Sequence, residues 1–145
     1  MLPVTMLRIG KLSQQAIAAA TVLAERYGGD AVRLSASEIA DARELPRPVV
    51  AKVLATLAQS GIVSGAPGPS GGYRLARPPE TVALYDIVAA FERTDVRPMC
   101  PFGPNWCGTG DLCPLHDAIE EASEQVIAFL KRHHLGVFRK AGEKN

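Results

Sequence analysis

Three cysteines and a histidine stand close together in the pattern Cys100-x6-Cys107-x5-Cys113-x2-His116. Thiolates are soft ligands for iron–sulfur clusters, zinc or copper(I), and an imidazole can complete a set of four. Structural zinc sites use tight C-x2-4-C pairs, and the gaps of six and five here are wider. A cluster with bridging sulfides is broader than a single ion and accommodates such gaps better. Three uses therefore stand side by side: an iron–sulfur cluster, a zinc ion, or metal-free thiols that respond to oxidation. An odd number of cysteines, in a chain whose first residues lack the zones of an export signal, argues against a disulfide scaffold. A nucleophile made by Cys113 and His116 is a fourth use, but two more cysteines in the same loop are better explained by ligation. The chain has no Ser/His/Asp set, phosphate-binding glycine loop or carboxylate pair in a suitable setting, so it reads as a protein that is not an enzyme.

These ligands need elements to hold them. Residues 97–114 carry four prolines, three glycines and all three cysteines without usable periodicity, and such a loop needs an organiser. A long helix is predicted over 115–134, with His116 at its start, one turn from Cys113. Its stripe of Leu115, Ile119, Ala122, Val126, Phe129 and Leu130 has little of this chain left to cover it, and is expected to be a dimer contact. Trp106, beside Cys107, suits either shielding of a cluster or ordinary packing. His133 and His134 suit a helix carboxyl end, where positive charge is favoured.

The first half of the chain has a different character. Helical spacing of Leu12, Ile17, Ala20, Leu23 and Tyr27 predicts a helix over 12–27, stopped by Gly28-Gly29. Ser35 with Glu38 fits a capping box that opens a short second helix. Leu45-Pro46-Arg47-Pro48 ends it and starts a third, whose stripe is Val49, Val50, Val53, Leu54 and Leu57. Two short helices joined by a tight turn are the sequence form of a helix-turn-helix. Ile62–Ser64 and Tyr73–Ala76, with a Gly/Pro-rich tip between them, read as a β-hairpin shaped like a DNA-binding wing. Arg77-Pro78-Pro79 is expected to be a linker, and residues 82–91 a fourth helix. The predicted fold is mostly α with a small β-hairpin wing, a winged helix-turn-helix followed by a long C-terminal dimerisation helix. Its expected divisions are 7–78 for the winged domain, 79–138 for the sensor and dimerisation region, and 139–145 for a basic tail.

Charge divides the same way. The net charge is +4 over residues 1–77, −7 over 78–130 and +4 over 131–145, which suggests a polyanion-binding module joined to something else. Near the amino end of the third helix, Arg47 and Lys52 are candidates for DNA contact, with Val49 available to a thymine methyl. Ser70 and Gly71 at the wing tip, Arg74 and Arg77 beside it, and Arg8 and Lys11 before the first helix are the further candidates, the arginines and lysine for phosphates. Winged helices also serve as protein-binding modules, so a protein partner is the other reading. Hydrophobic residues at 47% supply a core, yet no apolar run approaches the ~20 residues that span a membrane. The chain is expected to be cytoplasmic.

Taken together, these residues resemble the Rrf family of bacterial winged-helix transcription regulators, with its IscR-, NsrR- and CymR-like members. The resemblance runs from about Leu7 to Phe138. It rests on Leu34-Ser-x-x-Glu-Ile-Ala40, on Leu54-x-x-Leu57-x-x-x-Gly61-Ile-Val63, on Gly68-Pro-Ser-Gly-Gly-Tyr73-x-Leu75-Ala-Arg-Pro78, and on the cysteines followed by the long helix. It implies a homodimer on double-stranded DNA, with the long helices crossing. It also implies an iron–sulfur cluster, [2Fe–2S] ahead of [4Fe–4S], whose state sets DNA affinity, with Cys100, Cys107 and Cys113 as ligands and His116 as the IscR-type fourth. Members that borrow an acidic ligand from the first helix of the other subunit differ here, since residues 1–24 contain no Asp, Glu or His. Two departures from the IscR pattern stand out. The first cysteine gap is six where five is usual, and Pro67 stands where an arginine precedes Gly-Pro, so target preference is not expected to carry over. The function implied is a transcriptional regulator that senses iron–sulfur, redox or nitric-oxide status.

Overall fold

A computed structural model describes residues 9–28, 33–92 and 113–143. Helix α1 spans Lys11–Glu25, and its alanines at 16, 19, 20 and 24 are fully buried. Small side chains there let neighbouring helices approach closely. Helix α2, Ala36–Arg43, begins with the expected reciprocal cap: Glu38 N–H donates to Ser35 Oγ at 3.1 Å, and Ser35 N–H to Glu38 Oε1 at 3.2 Å. It ends at Glu44, which is left-handed with φ 53 and ψ 45, so that Leu45 N–H reaches Ala40 O at 2.9 Å. Helix α3, Arg47–Gln59, follows at once, with Pro48 in its first turn, where the missing N–H costs nothing. Arg43 on α2 donates to Thr21 and pairs with Glu25, fastening α2 to α1.

Strands β1, Val63–Ala66, and β2, Gly72–Leu75, pair antiparallel in the register Val63↔Leu75 and Ala66↔Gly72. A third edge is supplied by Leu34, which exchanges two backbone bonds with Tyr73 at 2.7 and 2.9 Å. Arg33 adds a guanidinium bond to Ser64 O at 2.9 Å. The expected linker is ordered instead: Pro79–Thr81 forms a 3-10 turn with Pro79 buried, and α4 follows at Leu84–Phe91.

Two features of the carboxyl half differ from expectation. The long helix, α5, runs His116–Arg132, and its buried residues are Ile119, Ser123, Ile127 and Leu130. Ile119 and Leu130 of the expected dimer stripe thus face inward, while Leu115 and Phe129 are 54% and 45% exposed. Ile127 and Leu130 join the apolar core shared by α1, α3 and α4. The second difference is that residues 136–143, which include part of the expected basic tail, form a helix. Residues 133–135 straighten, His134 bridges Ala83, and Leu135 N–H donates to Val82 O at 2.9 Å. Helix α6, Gly136–Glu143, then lies against α1 and the 3-10 turn. Leu135 is wholly buried, and Gly136 packs close on the 3-10 turn, where an added Cβ would sit 2.8 Å from Glu80 Cγ. Arg139, the first residue of the expected basic tail, donates to Glu80 at 2.7 Å and lies 5.3 Å over the Tyr27 ring. Burying each large apolar side chain such as Leu135 contributes about 1.5–3 kcal/mol, and that gain sets the course of this segment. No helix among the described residues is long and apolar enough to cross a membrane.

Candidate functional site

Along α3, the buried positions Val50, Val53, Leu54 and Leu57 leave the opposite face to Arg47, Pro48, Ala51, Lys52 and Ala55, all exposed. Arg47 and Lys52 are therefore available at the amino end of the recognition helix. Arg47 lies 3.8 Å from Asp41, an exposed pair worth little in water. Val49 is only partly exposed and packs against the core. The small residues Ala51 and Ala55 were not singled out from the sequence. Their small side chains leave the helix backbone open on this face, and alternation with the buried stripe is the signal that finds them.

At the wing tip Ser70 is exposed. Gly71 has a structural duty: a Cβ there would lie 2.1 Å from Ala66 O, and its N–H donates to Gly68 O at 3.0 Å. Arg74 and Arg77 sit at the base of the hairpin rather than its tip. Arg74 lines a cavity of about 520 Å³ together with Arg26, Tyr27 and Arg139. Arg77 reaches Asp86 at 3.5 Å. Lys11 is the exposed first residue of α1. Arg8 lies outside the described residues.

The sensor end is described from Cys113 onward, and Cys100 and Cys107 lie outside the described residues. Cys113 is buried at 4% exposure. Its carbonyl accepts His116 N–H at 3.0 Å, so the two residues share the turn that opens α5. His116 Nε2 lies 3.3 Å from Glu120 Oε2, one helical turn on. The ligand atoms of His116, Asp117 and Glu120 all fall within 4.8 Å of one another. Glu120 was missed in the sequence, although its i,i+4 offset from His116 is a readable signal. A neutral imidazole that donates from Nε2 presents its lone pair at Nδ1, and such carboxylate–histidine pairs orient metal-binding imidazoles. A shielded thiol and an oriented imidazole at one helix start suit a soft metal centre by the chemistry of their donors.

Helix-turn-helix, wing and flanking helices together define a winged-helix module of the kind that reads duplex DNA. The chain belongs to the Rrf2 family, described as an iron-dependent transcriptional regulator, which it matches over residues 9–139. Members of that family are DNA-binding transcription regulators and not enzymes. An HTH-type transcriptional regulator of Aquifex aeolicus (strain VF5) is 34% identical over 96 residues, 65% of this chain and 67% of that one. The HTH-type transcriptional regulator IscR of Cereibacter sphaeroides is 33% identical over 72 residues, and this match spans less than half of that relative, 45%. Among solved structures, T. potens IscR superposes with a TM-score of 0.74 at 22% identity, covering 95% of this chain and 90% of the other. CymR (YrzC), the global cysteine regulator of B. subtilis, gives 0.73 at 20% identity, covering 92% and 97%. Both likenesses show the fold.

Proposed function

We propose that this regulator is a cytoplasmic homodimer that binds double-stranded DNA and senses iron–sulfur, redox or nitric-oxide status through a cluster held by Cys100, Cys107, Cys113 and His116. The observation that carries the reading is the opening turn of α5, where a shielded thiol and a carboxylate-oriented imidazole stand together at the end of the cysteine-rich segment. A [2Fe–2S] cluster is favoured over [4Fe–4S], and when bound it supplies a one-electron couple and a target for nitric oxide. An imidazole ligand raises such a couple above that of an all-cysteine site. The chain's own part is mechanical. Ligation by Cys113 and His116 fixes the start of α5, whose Ile127 and Leu130 are built into the same core as α1 and α3. The position of the recognition helices is thereby tied to the state of the sensor. In the dimer, the exposed Leu115 and Phe129 face the partner, and the two α3 helices lie roughly 34–36 Å apart, one turn of DNA.

Arg47 and Lys52 meet base edges or phosphates in the major groove, with Val49 beside a thymine methyl. Lys11, Arg8, Arg74 and Arg77 serve phosphates, and Ser70 and Gly71 present the wing. The test is purification without oxygen followed by visible absorption and assay of iron and acid-labile sulfide. A coloured protein with both elements is expected, and a colourless protein lacking them refutes the cluster.

A second reading keeps the DNA binding and makes the site a single zinc ion or bare thiols. The carboxylates of Asp117 and Glu120 near His116 favour it, because oxygen donors suit a single divalent ion better than a cluster. Metal analysis with and without chelator separates the two.

A further inference from the structure

The amino end of α1 has no cap from its own neighbourhood. Gly10 stands at the N-cap position and offers no side chain. An acceptor for its own N–H comes from a residue 82 positions away: Gly10 N–H donates to Glu92 Oε1 at 3.1 Å. Ser13 Oγ, on a side chain only 1% exposed, donates to the same oxygen at 2.9 Å. A carboxylate at this end is also favoured by the helix dipole, whose positive pole it faces. Contact is close enough that a Cβ at Gly10 would meet Glu92 Oε1 at 3.0 Å. Gln14 holds the approach by donating to Ile9 O at 2.8 Å. One residue of α1 beyond Gly10 stands exposed Lys11, a candidate phosphate contact. On the other side of the bond, Glu92 closes α4, and the next residues of the chain are the segment that carries Cys100 and Cys107.

We infer that Glu92 is a positioning residue for DNA binding, the tie through which the sensor segment sets the amino end of α1 and hence Lys11. This rests on the proposed sensing function. The physical reason is economy of connection: Glu92 is the C-cap residue that follows α4, eight positions before Cys100, and its carboxylate is the acceptor in the described side-chain contacts of Gly10 and Ser13. A change in the course of the chain beyond Glu92 would therefore act on the helix end that carries Lys11, without crossing the core.

The test uses the full-length protein, loaded anaerobically or stripped, and a duplex of about 30 base pairs selected from a random pool by the wild type. Affinity is measured for both forms of wild type, Glu92→Ala, Glu92→Gln and Ser13→Ala, with exchange of the Gly10 amide followed in parallel. Wild type is expected to show at least about a fivefold difference between loaded and stripped forms, within the usual range of coupling between sites. In Glu92→Ala and Ser13→Ala that ratio falls below about twofold, and Glu92→Gln, whose amide oxygen accepts from both groups, restores part of it. Gly10 exchange should differ between the two forms of wild type and not between those of Glu92→Ala. If wild type shows the ratio and both alanine variants keep it while binding more weakly in each form, Glu92 is a plain helix cap and the inference falls alone. If wild type shows no ratio, the sensing function falls and takes the inference with it. Ser13→Ala decides the matter even if Glu92→Ala fails to fold, because alanine suits a helix interior.

Discussion

Replacing Gly72 by alanine should detach the wing from the body of the protein. Gly72 has φ +124, and a Cβ built on it falls 2.6 Å from Leu34 O and 2.8 Å from Leu34 C. Both are backbone atoms, so no side-chain rotation relieves the clash. An alanine held at such a torsion is strained by about 1–3 kcal/mol. Relief requires Leu34 to withdraw from Tyr73, which breaks the bonds of 2.7 and 2.9 Å that join them. Each is worth about 0.5–1.5 kcal/mol net. The expected destabilisation is about 2–6 kcal/mol, a large share of the ~5–15 kcal/mol that holds a typical domain together. Urea unfolding followed by circular dichroism measures it, at one fixed protein concentration because a dimer's stability depends on concentration. Gly61→Ala is the control. Gly61 also has a positive φ, +77, but nothing lies within 4 Å of its Cβ, so it should lose only about 1 kcal/mol. DNA affinity of the Gly72 variant, measured where it is still folded, should fall by about tenfold or more because the hairpin has lost its third edge. Equal losses for the two variants would refute the claim that contact with Leu34, rather than torsion alone, demands glycine at 72.

Arg47→Ala should leave stability within about 0.5 kcal/mol, since its partner Asp41 is exposed, while lowering the salt dependence of DNA binding by about one ion if Arg47 meets a phosphate. Filter binding across a salt series reads that slope, and an unchanged slope removes Arg47 from the phosphate contacts. Leu135→Ala should cost about 2–5 kcal/mol in urea unfolding, because the side chain is wholly buried. A loss below 1 kcal/mol would mean that α6 adds little to the core. Glu120→Ala should weaken retention of the proposed centre by about 10–100-fold in a chelator challenge, as loss of outer carboxylates does elsewhere. Identical iron release from variant and wild type would show that Glu120 does not orient His116.

How much of this was readable in advance depends on the range of the interactions involved. Ser35 and Glu38 announce their capping box in the sequence because both partners lie within one turn. The α3 stripe of Val50, Val53, Leu54 and Leu57 is equally local, for a period of 3.6 residues survives whatever the helix packs against. Residue types at 100, 107, 113 and 116 carry their ligand chemistry with them. Harder to see was which side of α5 would be covered. Its stripe of Leu115, Ile119, Ala122, Val126, Phe129 and Leu130 is expected to meet a partner, whereas Leu130, with Ile127 on the same helix, lies in the core of the same molecule as α5 packs on α4. Residues 133–143 offered charge but no strong period, and only the buried site for Leu135 shows why the chain turns back there.

The sequence by itself determined helices α1 to α5 and the hairpin, the order in which they come, and the kinds of atoms available to bind a metal or a phosphate, because each of these depends on neighbours a few positions apart. Only the tertiary structure decided that Glu92 caps a helix 82 residues away, that Arg139 reaches Glu80, and that Gly72 must remain without a side chain under Leu34. Those contacts join groups remote along the chain, and their partners are chosen by how the buried faces stack, which no local pattern records.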